Sequence, residues 1–76
     1  MQYGQVSIDP EVMSGSPVFA GTRVLIQSLF DYIEGGETLT EFLDDFPSVS
    51  KEAALAVLEM AKKFLISEKL LHENFT

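Results

Sequence analysis

Residues 38–66, TLTEFLDDFPSVSKEAALAVLEMAKKFLI, carry the reading that decides the fold. Thr38 and Glu41 stand at the spacing of a capping box, in which the Thr hydroxyl takes one free backbone N–H and the Glu carboxylate reaches back to another. Leu39, Phe42, Leu43 and Phe46 follow at i, i+3, i+4 and i+7, the period of a helix with one apolar face. Pro47 ends that helix, because its ring disfavours helical geometry at the residue before it. Ser48 or Ser50 can cap the next helix, which runs to about Ile66 and is rich in the strong helix formers Ala, Leu, Glu, Met and Lys. A short capped helix over 38–46, a tight Pro-containing turn and a longer helix over 50–66 have the outline of a helix-turn-helix.

On the N-terminal side, Leu25, Ile26, Leu29, Phe30, Tyr32 and Ile33 fall on one half of a helical wheel, which predicts an amphipathic helix over 24–35. Gly35-Gly36 supplies its left-handed stop. Asp9-Pro10, Gly15-Ser16-Pro17 and Gly21-Thr22 break any helix over 1–24 and leave brief strands at 6–8 and 18–19. Two such short strands are marginal unless another element covers them. Residues 67–76 read either as a tail or as an extension of the third helix. The expectation is one mainly α domain over 1–76, three helices preceded by a short β segment.

The third helix has a wider apolar arc than one core needs. Ala53, Ala54, Val57, Leu58, Met60, Ala61, Phe64 and Leu65 spread over roughly 160° at about 100° per residue, and Leu55 and Ile66 lie outside even that arc. With 46% apolar residues in so short a chain, this predicts a homodimer whose interface includes Leu55, Met60, Phe64 and Ile66.

The net charge of −7 repels nucleic acid on average and favours basic partners. Six carboxylates (Asp31, Glu34, Glu37, Glu41, Asp44, Asp45) face a single cation, Arg23, between positions 23 and 46. Asp44 and Asp45, with the apolar Leu70, Leu71 and Phe75, are therefore the expected contacts to a basic protein partner. For DNA, the expected contacts are Arg23, Ser48, Ser50 and Lys51, near the start of the third helix or, like Arg23, equipped with a planar donor fork. Arg23 equally suits an ion pair with a carboxylate of the first or second helix, and Glu52 would repel phosphate.

Catalytic and metal chemistry find no pattern. There is no cysteine, the single histidine, His72, has no second ligand beside it, and the glycines form neither GxxxxGK nor GxGxxG. Neither enzyme activity, a cofactor nor a metal is expected. The start MQYGQVSIDP has no basic n-region and no apolar h-region, and no apolar run is long enough to span a bilayer, so a cytoplasmic protein without membrane contact is expected.

The words Ile8-Asp9-Pro10, Gly15-Ser16-Pro17-Val18, Gly21-Thr22-Arg23-Val24, Gly35, Phe46-Pro47 and residues 53–61 together resemble a bacterial and archaeal family of small proteins, domain of unknown function number 433. The resemblance implies a homeodomain-like or winged-helix-like helix-turn-helix behind a short strand segment. It also implies an antitoxin-like role, in which the chain binds and neutralises a nuclease toxin of PIN-like fold and binds operator DNA. Members often carry Lys or Arg where this chain has Ser16 and Ala20, a departure that removes phosphate anchors. Two alternatives fit the same pieces: a stand-alone DNA-binding transcriptional regulator, and a dimeric interaction module that binds no DNA.

Overall fold

The apolar positions that recur at helical spacing form three helices in a computed structural model, which describes residues 1–67. The helices are α1 (Ile26–Glu34), α2 (Leu39–Asp45) and α3 (Lys51–Leu65). They follow a three-stranded antiparallel sheet of two-residue strands, β1 (Gln2–Tyr3), β2 (Val6–Ser7) and β3 (Val18–Phe19), in the spatial order β1-β2-β3.

β2 and β3, which fall in the two stretches expected to be brief strands, pair with Val6 opposite Phe19 and Ser7 opposite Val18. β1 is an addition. It returns on β2 through Gly4, whose φ of +57° is a left-handed conformation open to glycine at no steric cost. α1 begins two residues later than the apolar period suggests. Val24 and Leu25 are extended instead, because Phe19 N–H donates to Val24 O at 2.9 Å, Leu25 bridges Val18, and Ile26 N–H donates to Pro17 O at 3.0 Å. The backbone groups of β3 thus claim the first residues of the amphipathic stretch. At its other end α1 stops in a Schellman arrangement: Glu37 N–H donates to Tyr32 O, Gly36 N–H donates to Ile33 O, and Gly36 has φ +88°.

The capping box of α2 is complete. The Thr38 hydroxyl accepts from Glu41 N–H at 3.1 Å, and the Glu41 carboxylate accepts from Thr38 N–H at 3.1 Å. Beyond α2, Val49 N–H closes a turn on Phe46 O at 3.0 Å with Pro47 at its second position, where the proline's fixed φ suits the geometry. Of the two serines that could cap α3, Ser50 is the one: its hydroxyl accepts from Ala53 N–H at 3.0 Å.

The core comprises Phe19 from the sheet, Leu29 from α1, Phe42 from α2, Val49 from the turn and Ala53, Ala54 and Val57 from α3. Phe42 is its hub, with ring centroids 6.0 Å from Phe19, 5.4 Å from Tyr32 and 4.9 Å from Phe46. Ala53 and Ala54 carry α3 into this core through small, buried side chains. No helix among the described residues is long and apolar enough to cross a membrane.

Candidate functional site

Three surfaces stand out. The first grows from the turn after β3. Gly21 takes φ +76°, and Thr22 closes the turn with both its N–H and its hydroxyl on Phe19 O, at 3.0 and 2.8 Å. The same hydroxyl accepts from Val24 N–H at 3.0 Å, so Thr22 is fully committed to shaping the turn and Arg23 is left exposed beside it. Opposite stands the Asp9-Pro10 turn, in which Asp9 Oδ1 accepts from Glu11 N–H at 2.9 Å. Between them lies an open depression of about 540 Å³ lined by Ser7, Asp9, Val12, Val18, Gly21, Thr22, Arg23 and Ser48.

This depression unites two of the four residues the sequence singles out for DNA, Arg23 and Ser48. Ser50 and Lys51 do not line it, although Lys51 is exposed at the first position of α3 and Ser50 spends its hydroxyl on the helix cap. Arg23 has no ion-pair partner among the described residues, where Lys62 and Glu59 make an ion pair at 3.6 Å. The backbone N–H groups of Gly21 and Arg23 likewise find no acceptor among the described residues. Ser7 and Asp9 come to this site only through the fold, since nothing in their local sequence pairs them with Arg23.

The second surface is the far end of α3. Ala53, Ala54 and Val57 are buried, yet Phe64, two turns beyond Val57 on the same stripe, is 70% exposed, and Leu65, two turns beyond Leu58, is 61% exposed. Leu55, Met60 and Ile66 are exposed as well. Among the described residues the apolar stripe therefore continues past the point where the domain covers it, and a Cβ added at Gly4 in the β1–β2 turn would come within 3.9 Å of the Met60 methyl.

The third surface is acidic. Asp31, Glu34, Glu37, Glu41, Asp44 and Asp45 are all exposed. Asp45, however, is not free, because its Oδ2 accepts a 2.6 Å hydrogen bond from the Tyr32 hydroxyl. That bond, then burial, then the charges of Asp45, Glu37 and Glu41, push the Tyr32 pKa up to about 12. No three His, Cys, Asp or Glu side chains gather into a metal-binding group among the described residues. Leu70, Leu71, His72 and Phe75 lie outside the described residues.

A family model described as protein of unknown function, DUF433, matches residues 6–61. No curated protein and no solved structure matches the chain. The matched span contains every residue that lines the depression and stops short of Phe64, Leu65 and Ile66, so the polar site lies in the shared portion and the bare end of α3 outside it. With more than half of its residues matched, from β2 through most of α3, the chain belongs to the DUF433 family.

Proposed function

We propose that this chain is a non-enzymatic homodimeric binding module of antitoxin type, in which α2 and α3 act as a helix-turn-helix and a basic nuclease of PIN-like fold is the protein partner. The observation that carries the reading is the exposure of Phe64 and Leu65 on the stripe that buries Val57. A solvated helix end gains nothing from two large apolar side chains in line with its core face, whereas an interface between two copies buries them and retains them. The acidic α1–α2 sector supports the second half of the reading, since a field of one sign speeds the approach of a partner of the other.

The test is coexpression with the product of the adjacent reading frame. A basic neighbour of about 100–150 residues, a single-domain size, should copurify with the chain and lose its nuclease activity in the complex. A neighbour that neither binds nor is inhibited removes the antitoxin reading.

One observation favours the alternative of a DNA-binding regulator without a toxin. Arg23, unpaired among the described residues, shares a depression with Ser48, which stands just before α3. Under that alternative the purified chain alone binds the DNA upstream of its own gene.

A further inference from the structure

We infer that the depression between the Gly21-Thr22-Arg23 turn and Ser48 is a seat for one phosphate of a DNA backbone. This rests on the helix-turn-helix reading and deepens it by naming the group that fixes the register of α3 on the duplex.

Four features converge. Arg23 presents an always-charged, planar donor fork that has no carboxylate partner among the described residues. The N–H groups of Gly21 and Arg23 are unclaimed among the described residues, one on each side of the Thr22 N–H that closes the turn on Phe19 O, so they remain available as donors. A Cβ at Gly21 would meet nothing within 4 Å, so the turn is open to a ligand on that side. Ser7 and Ser48 add hydroxyls with no partner among the described residues. A phosphodiester offers these donors two non-bridging oxygens that share one negative charge, and such contacts position a protein without reading sequence.

Asp9 stands on the same depression and works against an anion. Its carboxylate is held by Glu11 N–H, so it stays in place as the phosphate enters. Affinity is thereby kept low in a chain already carrying −7, and the two residues give variants of opposite sign.

The experiment is fluorescence anisotropy of the full chain on a labelled duplex from upstream of its gene, across a salt series, with Arg23→Gln, Asp9→Asn and Lys51→Gln. Arg23→Gln should weaken binding several-fold on every sequence and reduce the slope of log affinity against log salt by about 0.9, the loss of one phosphate contact. Asp9→Asn should tighten binding. Arg23 is exposed and forms no bond that holds the fold, and circular dichroism should confirm an unchanged domain. Binding by native protein with an unchanged slope in Arg23→Gln and a reduced slope in Lys51→Gln overturns the phosphate seat and leaves the helix-turn-helix reading standing. No binding by native protein overturns both. Capture of a short acidic peptide, lost in Arg23→Gln, with no DNA binding would assign the same donors to a partner's carboxylate and overturn the DNA assignment.

Discussion

The Tyr32 hydroxyl donates a 2.6 Å hydrogen bond to Asp45 Oδ2, tying the body of α1 to the last residue of α2. A carboxylate at a helix C-terminus faces the negative end of the helix dipole, which disfavours it, and the phenol supplies the compensating donor. The raised Tyr32 pKa gives the sign of the pH effect. The bond's contribution is fully present below pH ~10, the ordinary tyrosine value, and falls away as the pH rises through about 12. Tyr32→Phe should flatten stability against pH between those values and remove the late-ionising tyrosinate absorbance. An unchanged absorbance titration would place the shifted phenol elsewhere.

Phe42→Ala should remove a large share of the domain's stability. Phe42 is fully buried and touches aromatic rings from the sheet, from α1 and from the turn, and loss of a buried phenylalanine costs about 3–5 kcal/mol. A chain of this size holds roughly 4–11 kcal/mol in all. Urea denaturation should show a strongly lowered midpoint for the variant, whereas Phe42→Leu should lower it far less.

Helix type and helix caps were legible in the sequence because they are local: Thr38 and Glu41 sit three residues apart, and Gly36 follows the last turn of α1 directly. What was not legible depends on distant backbone. α1 starts later than its apolar period because Phe19 N–H donates to Val24 O and Ile26 N–H donates to Pro17 O, and β1 carries no sequence signal because Gln2-Tyr3 has neither the alternation nor the length that marks a strand. Arg23 and Ser48 were each singled out, but twenty-five positions separate them, and only the packing of β3 and the α2–α3 turn onto one core places them at the same depression. The absence of an ion pair at Arg23 among the described residues is likewise beyond the sequence, which offers the five carboxylates of the first and second helices as candidates.

Ser50→Ala should cost about 1 kcal/mol, the usual price of an N-cap, and Ser48→Ala should not, since only Ser50 accepts from Ala53 N–H. Ser50→Asp should restore the stability lost by Ala, because aspartate caps as well as serine. The same Asp substitution adds a negative charge at the start of α3 and should weaken DNA binding. Thermal melts and the anisotropy titration together separate the structural role of Ser50 from contact with DNA.

Phe64→Glu should convert a dimer to a monomer at tens of micromolar, a concentration where even a modest specific interface is occupied. Light scattering of the native chain should report twice the 8.4 kDa mass, and the variant one copy. Because Phe64 is already 70% exposed, the substitution should leave the monomer fold intact. A native monomer in this range would remove the dimer.

Asp44 and Asp45 are neighbours in sequence but differ in what they touch, and this lets charge be separated from structure in partner binding. Asp44 is exposed and has no hydrogen-bond or ion-pair partner among the described residues, whereas Asp45 accepts from Tyr32. Asp44→Lys therefore alters the acidic field alone. Its stability should stay within about 0.5 kcal/mol of native, while association with a basic nuclease slows and loses much of its salt dependence, because opposite potentials act chiefly on the encounter. Asp45→Lys changes the field by the same amount and also breaks the α1–α2 tie, so it should slow association equally and lower the melting temperature as well. Stopped-flow association at several ionic strengths, read beside thermal melts, distinguishes the two. Equal association rates for native and Asp44→Lys at low salt would mean that the acidic sector does not steer the partner, and the slower binding of Asp45→Lys would then report only a loosened α1–α2 pair.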